Sequence, residues 1–301
     1  MIISGLPDNP TGKARFNKAG LYNMKTRLLT LFTLILCSVQ LHAAQTYASK
    51  GILRVCADPF MLPFSNTEGQ GFENRISEFL AEKLDMELEY EFFPQRMGFI
   101  RNTLKSEEGG LYKCDLVINV PENFELAATT DPYYTTTYML AYVKGGKLDG
   151  LEKPEDLRNM VESGNIDLNF GITERGPAQL WLFYNELLQY MTPYQGQPGN
   201  PRYHPGQKLM EDLAAGKIDA TIVWGPTAGY YADKLRDQAE IILLPVKDSE
   251  ENAEARYTYS MSMAVRYGEK EWKDQINKVV QENKAEIHRI LEDFGVPLIN
   301  K

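Results

Sequence analysis

The residues of this chain that could do chemistry are suited to holding a ligand more than to transforming one. Phe60, Phe64, Tyr133, Tyr134 and Trp224 lie in or beside short apolar runs and offer flat faces on which a small or planar ligand could stack. Plain core packing competes with that role, above all for Phe64 and Tyr133. Arg96, opening a short helical stretch, adds a cation, and Asn119 adds an amide in an apolar strand. Thr173 and Gly176 frame the start of a helix whose free N–H groups could receive an anion. Catalytic patterns are missing: there is no G-x-S-x-G, no Walker loop and no H-E-x-x-H. The Gly-Gln-Gly at 69–71 follows a loop, not a strand, and is no dinucleotide fingerprint. Past the N-terminal segment the histidines are His204, in a Pro/Gly-rich stretch, and His288, on the final helix. Acidic groups at Glu107 and Glu108, and at Glu250, Glu251 and Glu254, fit solvated loops better than a cation site. No catalytic residue, metal or cofactor is expected.

These side chains need a scaffold to bring them together, and the stretch at 51–66 sets its character. A buried strand at 52–57 runs directly into Asp58, Pro59 and Pro63, as the first strand of a parallel α/β domain does, with ligand expected beyond its carboxyl end. A helix at 73–84 follows, with Phe72, Ile76, Phe79, Leu80 and Leu84 on one stripe. Strands are expected at 87–93 and 116–120, with a short helix at 97–104 between them. That β-α-β-α-β order implies a parallel sheet with right-handed crossovers. An extended run through 131–143 can carry the chain into a second lobe. There the pattern predicts a strand at 167–172, a helix at 176–190, a long aperiodic loop at 192–205, then helix, strand, helix, strand at 208–215, 218–224, 227–236 and 241–246. Alternation at 257–265 makes a return crossing. One long amphipathic helix, 271–294, closes the chain, with Gly295 and Pro297 as its stop.

The 301 residues are 43% hydrophobic and 24% charged, a globular balance of about two domains. Five of the 32 Lys/Arg and one of the 41 Asp/Glu fall in the first 44 residues, so the remainder carries a net charge of −13. That sign argues against nucleic acid or an anionic membrane as partner. Lys25 and Arg27, an apolar run at 28–39 and Ala43-Ala44 read as a secretory signal peptide over 24–44, too short to span a membrane. Met24 then becomes the start, with 1–23 an upstream extension. Leu36 occupies the place where a lipid-bearing Cys37 would need a small residue, so no lipid anchor is expected. Export leaves Cys56 and Cys114. An oxidising compartment favours pairing them, whereas strand register sets them several residues apart; both states stay open.

Read in order, LRVCADPFMLPFSN, GFENRISEFLAEKL, CDLVINV, TDPYYTTTYM and KIDATIVWGPTAGYYA resemble the periplasmic solute-binding proteins of family 3, the amino-acid-binding-like group. The resemblance spans nearly all of residues 50–297. It implies a periplasmic binding protein type 2 fold: two α/β lobes joined by two extended hinge crossings. Lobe 1 would comprise 45–137 plus 259–301 and lobe 2 138–258, with Thr136, Thr137, Tyr138, Tyr259 and Ser260 in the hinge. Further blocks, CADP with LPFSN, GFENR, PQR, RNTL and WGP with AGY, are similar to the quinoprotein-dehydrogenase-associated subgroup, the MoxJ/XoxJ type. That similarity implies a periplasmic accessory protein whose partner is the large subunit of a PQQ-dependent methanol dehydrogenase, with or without a small-molecule ligand. Two positions depart from the amino-acid binders. The arginine that clamps a ligand carboxylate is replaced by Asn123, and an amide cannot imitate a bidentate guanidinium. Where a carboxylate would meet the ligand ammonium stand Trp224 and Gly225. A free amino acid in the cleft is therefore not expected; a small polar solute carried to a transporter is the alternative function.

Overall fold

The computed structural model describes residues 46–196, 199–249 and 255–299. The upstream extension, the signal peptide with Cys37, and Glu250, Glu251 and Glu254 lie outside them. Among the described residues no helix is long and apolar enough to cross a membrane.

Strand β1 (Ile52–Ala57) is apolar along most of its length because both its faces are covered. Leu53 and Val55 enter one core and Cys56 the opposite one. Helix α1 (Phe72–Leu84) presses Phe72, Ile76 and Leu80 onto the first of these cores. It returns the chain to β2 (Glu87–Phe92), parallel to β1 from Ile52↔Glu87 to Ala57↔Phe92. After the short helix α2 (Phe99–Asn102), β3 (Val117–Pro121) begins beside β1, where the Cys56 N–H donates to the Leu116 carbonyl at 2.8 Å.

The ten-residue strand β4 (Tyr134–Val143) leads to the second lobe. That lobe is built from α3 (Leu157–Gly164), β5 (Phe170–Thr173), α4 (Pro177–Tyr184), β6 (Met191–Tyr194), α5 (Pro205–Ala214), β7 (Ala220–Trp224), α6 (Gly225–Lys234) and β8 (Ile241–Pro245). Strand β9 (Thr258–Val265) returns, and α7 (Lys270–Glu282) and α8 (Lys284–Asp293) pack on the first lobe. The architecture is an α/β two-lobe binding-protein fold. Strand β4 shows how the lobes connect, because it changes partners midway. Tyr134 through Thr137 pair antiparallel with Met261 through Thr258 of β9, whereas from Tyr138 onward the strand pairs with β7 on one edge and from Met139 with β8 on the other. Alternation along its second half divides the second lobe's core. Leu140 and Tyr142 join Phe170, Ile172 and Trp181 on one face, while Met139 and Ala141 join Leu209, Met210 and Tyr231 on the other.

Three expected elements differ. The single helix at 271–294 is two, because the Asn283 amide turns back to the Val279 carbonyl at 2.8 Å and competes with the next helical turn. The helix at 176–190 stops at Tyr184, where the Asn185 amide caps the Trp181 carbonyl at 2.8 Å and Glu186 takes a left-handed φ of 56°. The loop at 192–205 contains a strand: β6 runs parallel to β5, and Pro193 is tolerated because β6 is the outermost strand of its sheet.

Cys56 and Cys114 form a disulfide with Cα atoms 5.5 Å apart. Extending the Val55↔Leu116 register backward would place Cys114 against Leu53, out of reach. The Asp115 N–H still donates to the Arg54 carbonyl at 2.8 Å, but before it the register breaks and Cys114 lies beside Cys56, both within the smaller core that contains Phe99 and Leu104. With the cysteines 58 positions apart in sequence, Cys56→Ser/Cys114→Ser is expected to lower stability by about 2–4 kcal/mol. The check is the urea midpoint of the variant against the oxidised protein; coincident curves would contradict it.

Candidate functional site

Residues at or just after the carboxyl ends of the parallel strands meet across the gap between the lobes, as the crevice rule for open α/β sheets requires. A cavity of about 590 Å³ is lined by Met61 and Phe64 after β1, Gln95 after β2, Asn119 and Pro121 of β3, Tyr259 and Met261 of β9, Tyr138 of β4 and Trp224 of β7. Trp224 organises it. Its ring lies 5.1 Å from Tyr138 and 5.7 Å, edge-on, from Tyr259, so one indole packs against both crossing strands. Burial pushes the Tyr138 hydroxyl up to about 12, which keeps it a neutral hydrogen-bonding group.

Tyr138 and Trp224 also wall a second cavity of about 280 Å³ on the lobe-2 side, with Thr173, Gly176, Gly206 and Thr227 among its lining. Helices α4, α5 and α6 all begin there with proline in the first turn and no side-chain cap. Their free N–H groups give this cavity a positive character. No charged side chain lines either cavity among the described residues.

The polar floor on the first lobe is a buried network. Asn119 accepts the Tyr134 hydroxyl at 2.9 Å and hydrogen-bonds the Glu73 carboxyl. Burial, reinforced by Asp58, raises the Glu73 carboxyl to about 8, so it keeps its proton at neutral pH. Asp58 positions the rim: its two oxygens accept the Phe60 N–H at 2.8 Å and the Gln95 N–H at 2.5 Å.

Across the rim the lobes touch directly. Arg96 of the first lobe donates to the carbonyls of Gly199 and Asn200 in the second, at 3.3 and 2.5 Å. In return, the Arg202 guanidinium sits 4.1 Å over the Phe60 ring. His204, at the start of α5, is held below its usual value chiefly by burial, although Asp58 and the Phe60 backbone oppose that shift. Removing both contacts with Arg96→Ala/Arg202→Ala is expected to move the lobes toward an open form by about tenfold or more, at roughly 1 kcal/mol per contact. An unchanged radius of gyration in small-angle scattering would contradict this.

Among the residues singled out from sequence, Phe64, Asn119 and Trp224 line the larger cavity, and Thr173, Gly176 and Trp224 the smaller. The other cleft candidates require correction. Tyr133 is fully buried and donates to the Ile118 carbonyl at 3.0 Å, which makes it core. Tyr134 is buried as well and reaches the cleft only through Asn119. Phe60 lies under Arg202 on the rim, and Arg96 spans the lobes instead of lining the cavity. Thr136 and Thr137 sit buried in the β4–β9 pairing, Ser260 faces away from the cleft, and Tyr138 and Tyr259 line it. Asn123 is exposed at a left-handed φ of 60° and lines neither cavity. Met61, Gln95, Pro121 and Met261 were not anticipated. Gln95 and Pro121 close expected parallel strands, and that position was the available signal.

A scan against models of protein families finds no match. Protein MoxJ of Paracoccus denitrificans is 26% identical over 266 residues, covering 85% of this chain and 92% of the relative. The crystal structure of the periplasmic binding protein XoxJ from Methylobacterium extorquens AM1 is 31% identical. It matches 83% of this chain and 100% of its own, with a TM-score of 0.65. The chain belongs to the MoxJ/XoxJ family of periplasmic binding proteins. A second structure, MxaJ from Methlophaga aminisulfidivorans MPT, shares the fold at 24% identity and a TM-score of 0.64, covering 82% of this chain and all of that one. In this family member the space between the lobes is aromatic and amide-lined, with its charged groups confined to the rim and to the buried layer beneath.

Proposed function

We propose that this chain is exported to the periplasm as a non-enzymatic accessory binding protein of a PQQ-dependent methanol dehydrogenase, engaging the large subunit and assisting its maturation or activation. The observation that carries this reading is the similarity to XoxJ along the whole length of that protein. The cleft supports it. A free amino acid in water-poor surroundings needs an opposite charge at each end, and neither cavity is lined by one. The same two linings contain no acid–base pair for proton transfer. Co-purification with the apo-dehydrogenase large subunit, together with loss of dehydrogenase activity on deletion of this chain, tests the proposal. Absence of a complex and unchanged activity would end it.

One feature favours a second reading, a receptor that delivers a small solute to a transporter. The three helix starts around the 280 Å³ cavity could hold a monoanion with a short apolar body. A thermal-shift screen of small organic acids separates the readings, since a ligand at 100 times its Kd stabilises by about 2.7 kcal/mol. A clear shift favours delivery, and none across the screen leaves the accessory role.

A further inference from the structure

Behind the two crossing strands, on the face opposite the cleft, lies a cavity of about 300 Å³ lined by Glu122, Thr135, Ser260, Lys284, His288 and Ile299, among others. Ser260 alternates with Tyr259 and Met261, which face the cleft, so its hydroxyl points the other way, 3.1 Å from the hydroxyl of Thr135 on the neighbouring strand. Two opposite charges border this space without meeting. Glu122 and Lys284 form no ion pair within 4 Å, with each other or with any other described residue. His288 borders the space as well: its Nε2 is 2.7 Å from the Tyr133 carbonyl, which can only accept, so Nε2 carries a hydrogen.

We propose that this cavity is a second binding site, for a small zwitterion of the free α-amino acid class with a short polar side chain. Lys284 meets the carboxylate, Glu122 meets the ammonium, and the Thr135–Ser260 hydroxyl pair meets a side-chain hydroxyl. The volume stands at the low end of ligand pockets, which restricts the occupant to a molecule of about that size. The cleft lacks charged lining and this cavity has both signs, so the two sites select different chemistry. Because Thr135 and Ser260 belong to the strands that join the lobes, an occupant here touches the connection itself. The site stands independently of the accessory role proposed above.

Titration of the exported protein with L-serine, followed by calorimetry or by NMR, tests the assignment. Saturable binding is expected, weakened about tenfold or more by Glu122→Gln and by Lys284→Met, whose side chains line this cavity and not the cleft. Neither Glu122 nor Lys284 is buried, so both variants retain the fold. Ethanolamine and lactate, each lacking one of the two charges, should bind at least about tenfold more weakly than L-serine. No saturation by ~10 mM L-serine, or binding indifferent to both charge variants, would overturn the proposal.

Discussion

Arg266→Met is expected to destabilise the protein by about 3–5 kcal/mol, the usual cost of stranding one member of a buried ion pair. Arg266 is 5% exposed and Asp115 fully buried, with 2.5 Å between guanidinium and carboxylate. The guanidinium also donates to Glu269 at 2.8 Å, to the Leu104 carbonyl at 3.0 Å and to the Cys114 carbonyl, and it lies 4.0 Å over the Tyr112 ring. Asp115 holds more than its partner: its second oxygen accepts the Ala48 N–H at 2.8 Å, and its carbonyl accepts the Trp272 indole at 3.1 Å. One residue, through its side chain and its carbonyl, therefore ties the end of β9, helix α7, the loop before β3 and the turn before β1 together. Methionine has nearly the volume of the arginine stem, so packing loss is small and the unpaired Asp115 dominates. Asp115→Asn in the Arg266→Met background should recover part of the loss, because the amide has no buried charge to leave unpaired. Urea unfolding of the two single variants and the double closes the cycle. A loss below about 1 kcal/mol for Arg266→Met would mean that water reaches the pair.

The sequence carries the lobe architecture well where burial on both sides of a strand leaves an unbroken apolar run, as at Ile52–Ala57 and Ala220–Trp224. Trp224 was legible as a cleft residue for the same reason: it ends a buried strand, and the crevice lies beyond such ends. Tyr134 was not distinguishable from a cleft aromatic, whereas core packing was already the stronger reading for Tyr133. Composition marks a tyrosine as amphipathic, but only the tertiary partner, the Ile118 carbonyl or Asn119, decides whether its hydroxyl is spent inside. Arg96 failed for a different reason. Its partners are the carbonyls of Gly199 and Asn200, over a hundred positions along the chain, and backbone acceptors leave no mark in side-chain types. The Cys56–Cys114 pairing turned on a local departure from register just before β3, which alternation cannot report.

The other large effect concerns pH. Glu73 sits in the first turn of α1, where a helix N-terminus would normally favour its charged form by up to about 1 kcal/mol. Here burial outweighs that preference. The side chain is 5% exposed, Oε1 has no hydrogen-bond partner among the described residues, and Asp58 adds a like charge, so the carboxyl rises from 4.5 to about 8 despite the Asn119 bond. Below pH 4.5 both folded and unfolded chains carry the proton, and the group's contribution is fully present. Between 4.5 and 8 the unfolded chain ionises while the folded one keeps its proton. Stability then falls with rising pH by about 1.4 kcal/mol per unit, roughly 5 kcal/mol over the window, and levels off above 8. Glu73→Gln keeps the shape and removes the titration. Near pH 4.5 the variant should match the wild type within about 1 kcal/mol, and at pH 8 it should exceed it by several kcal/mol. Taking the difference between the two proteins cancels every other titrating group, so urea curves at pH 5, 6, 7 and 8 isolate this carboxyl. Parallel profiles would mean that Glu73 ionises freely in the fold. Because Asn119 bonds Glu73 beneath the cleft and also lines it, the same substitution reports on the site. An amide at position 73 still hydrogen-bonds Asn119, so a cleft ligand that binds wild type more weakly above pH 8 should bind Glu73→Gln with no such loss.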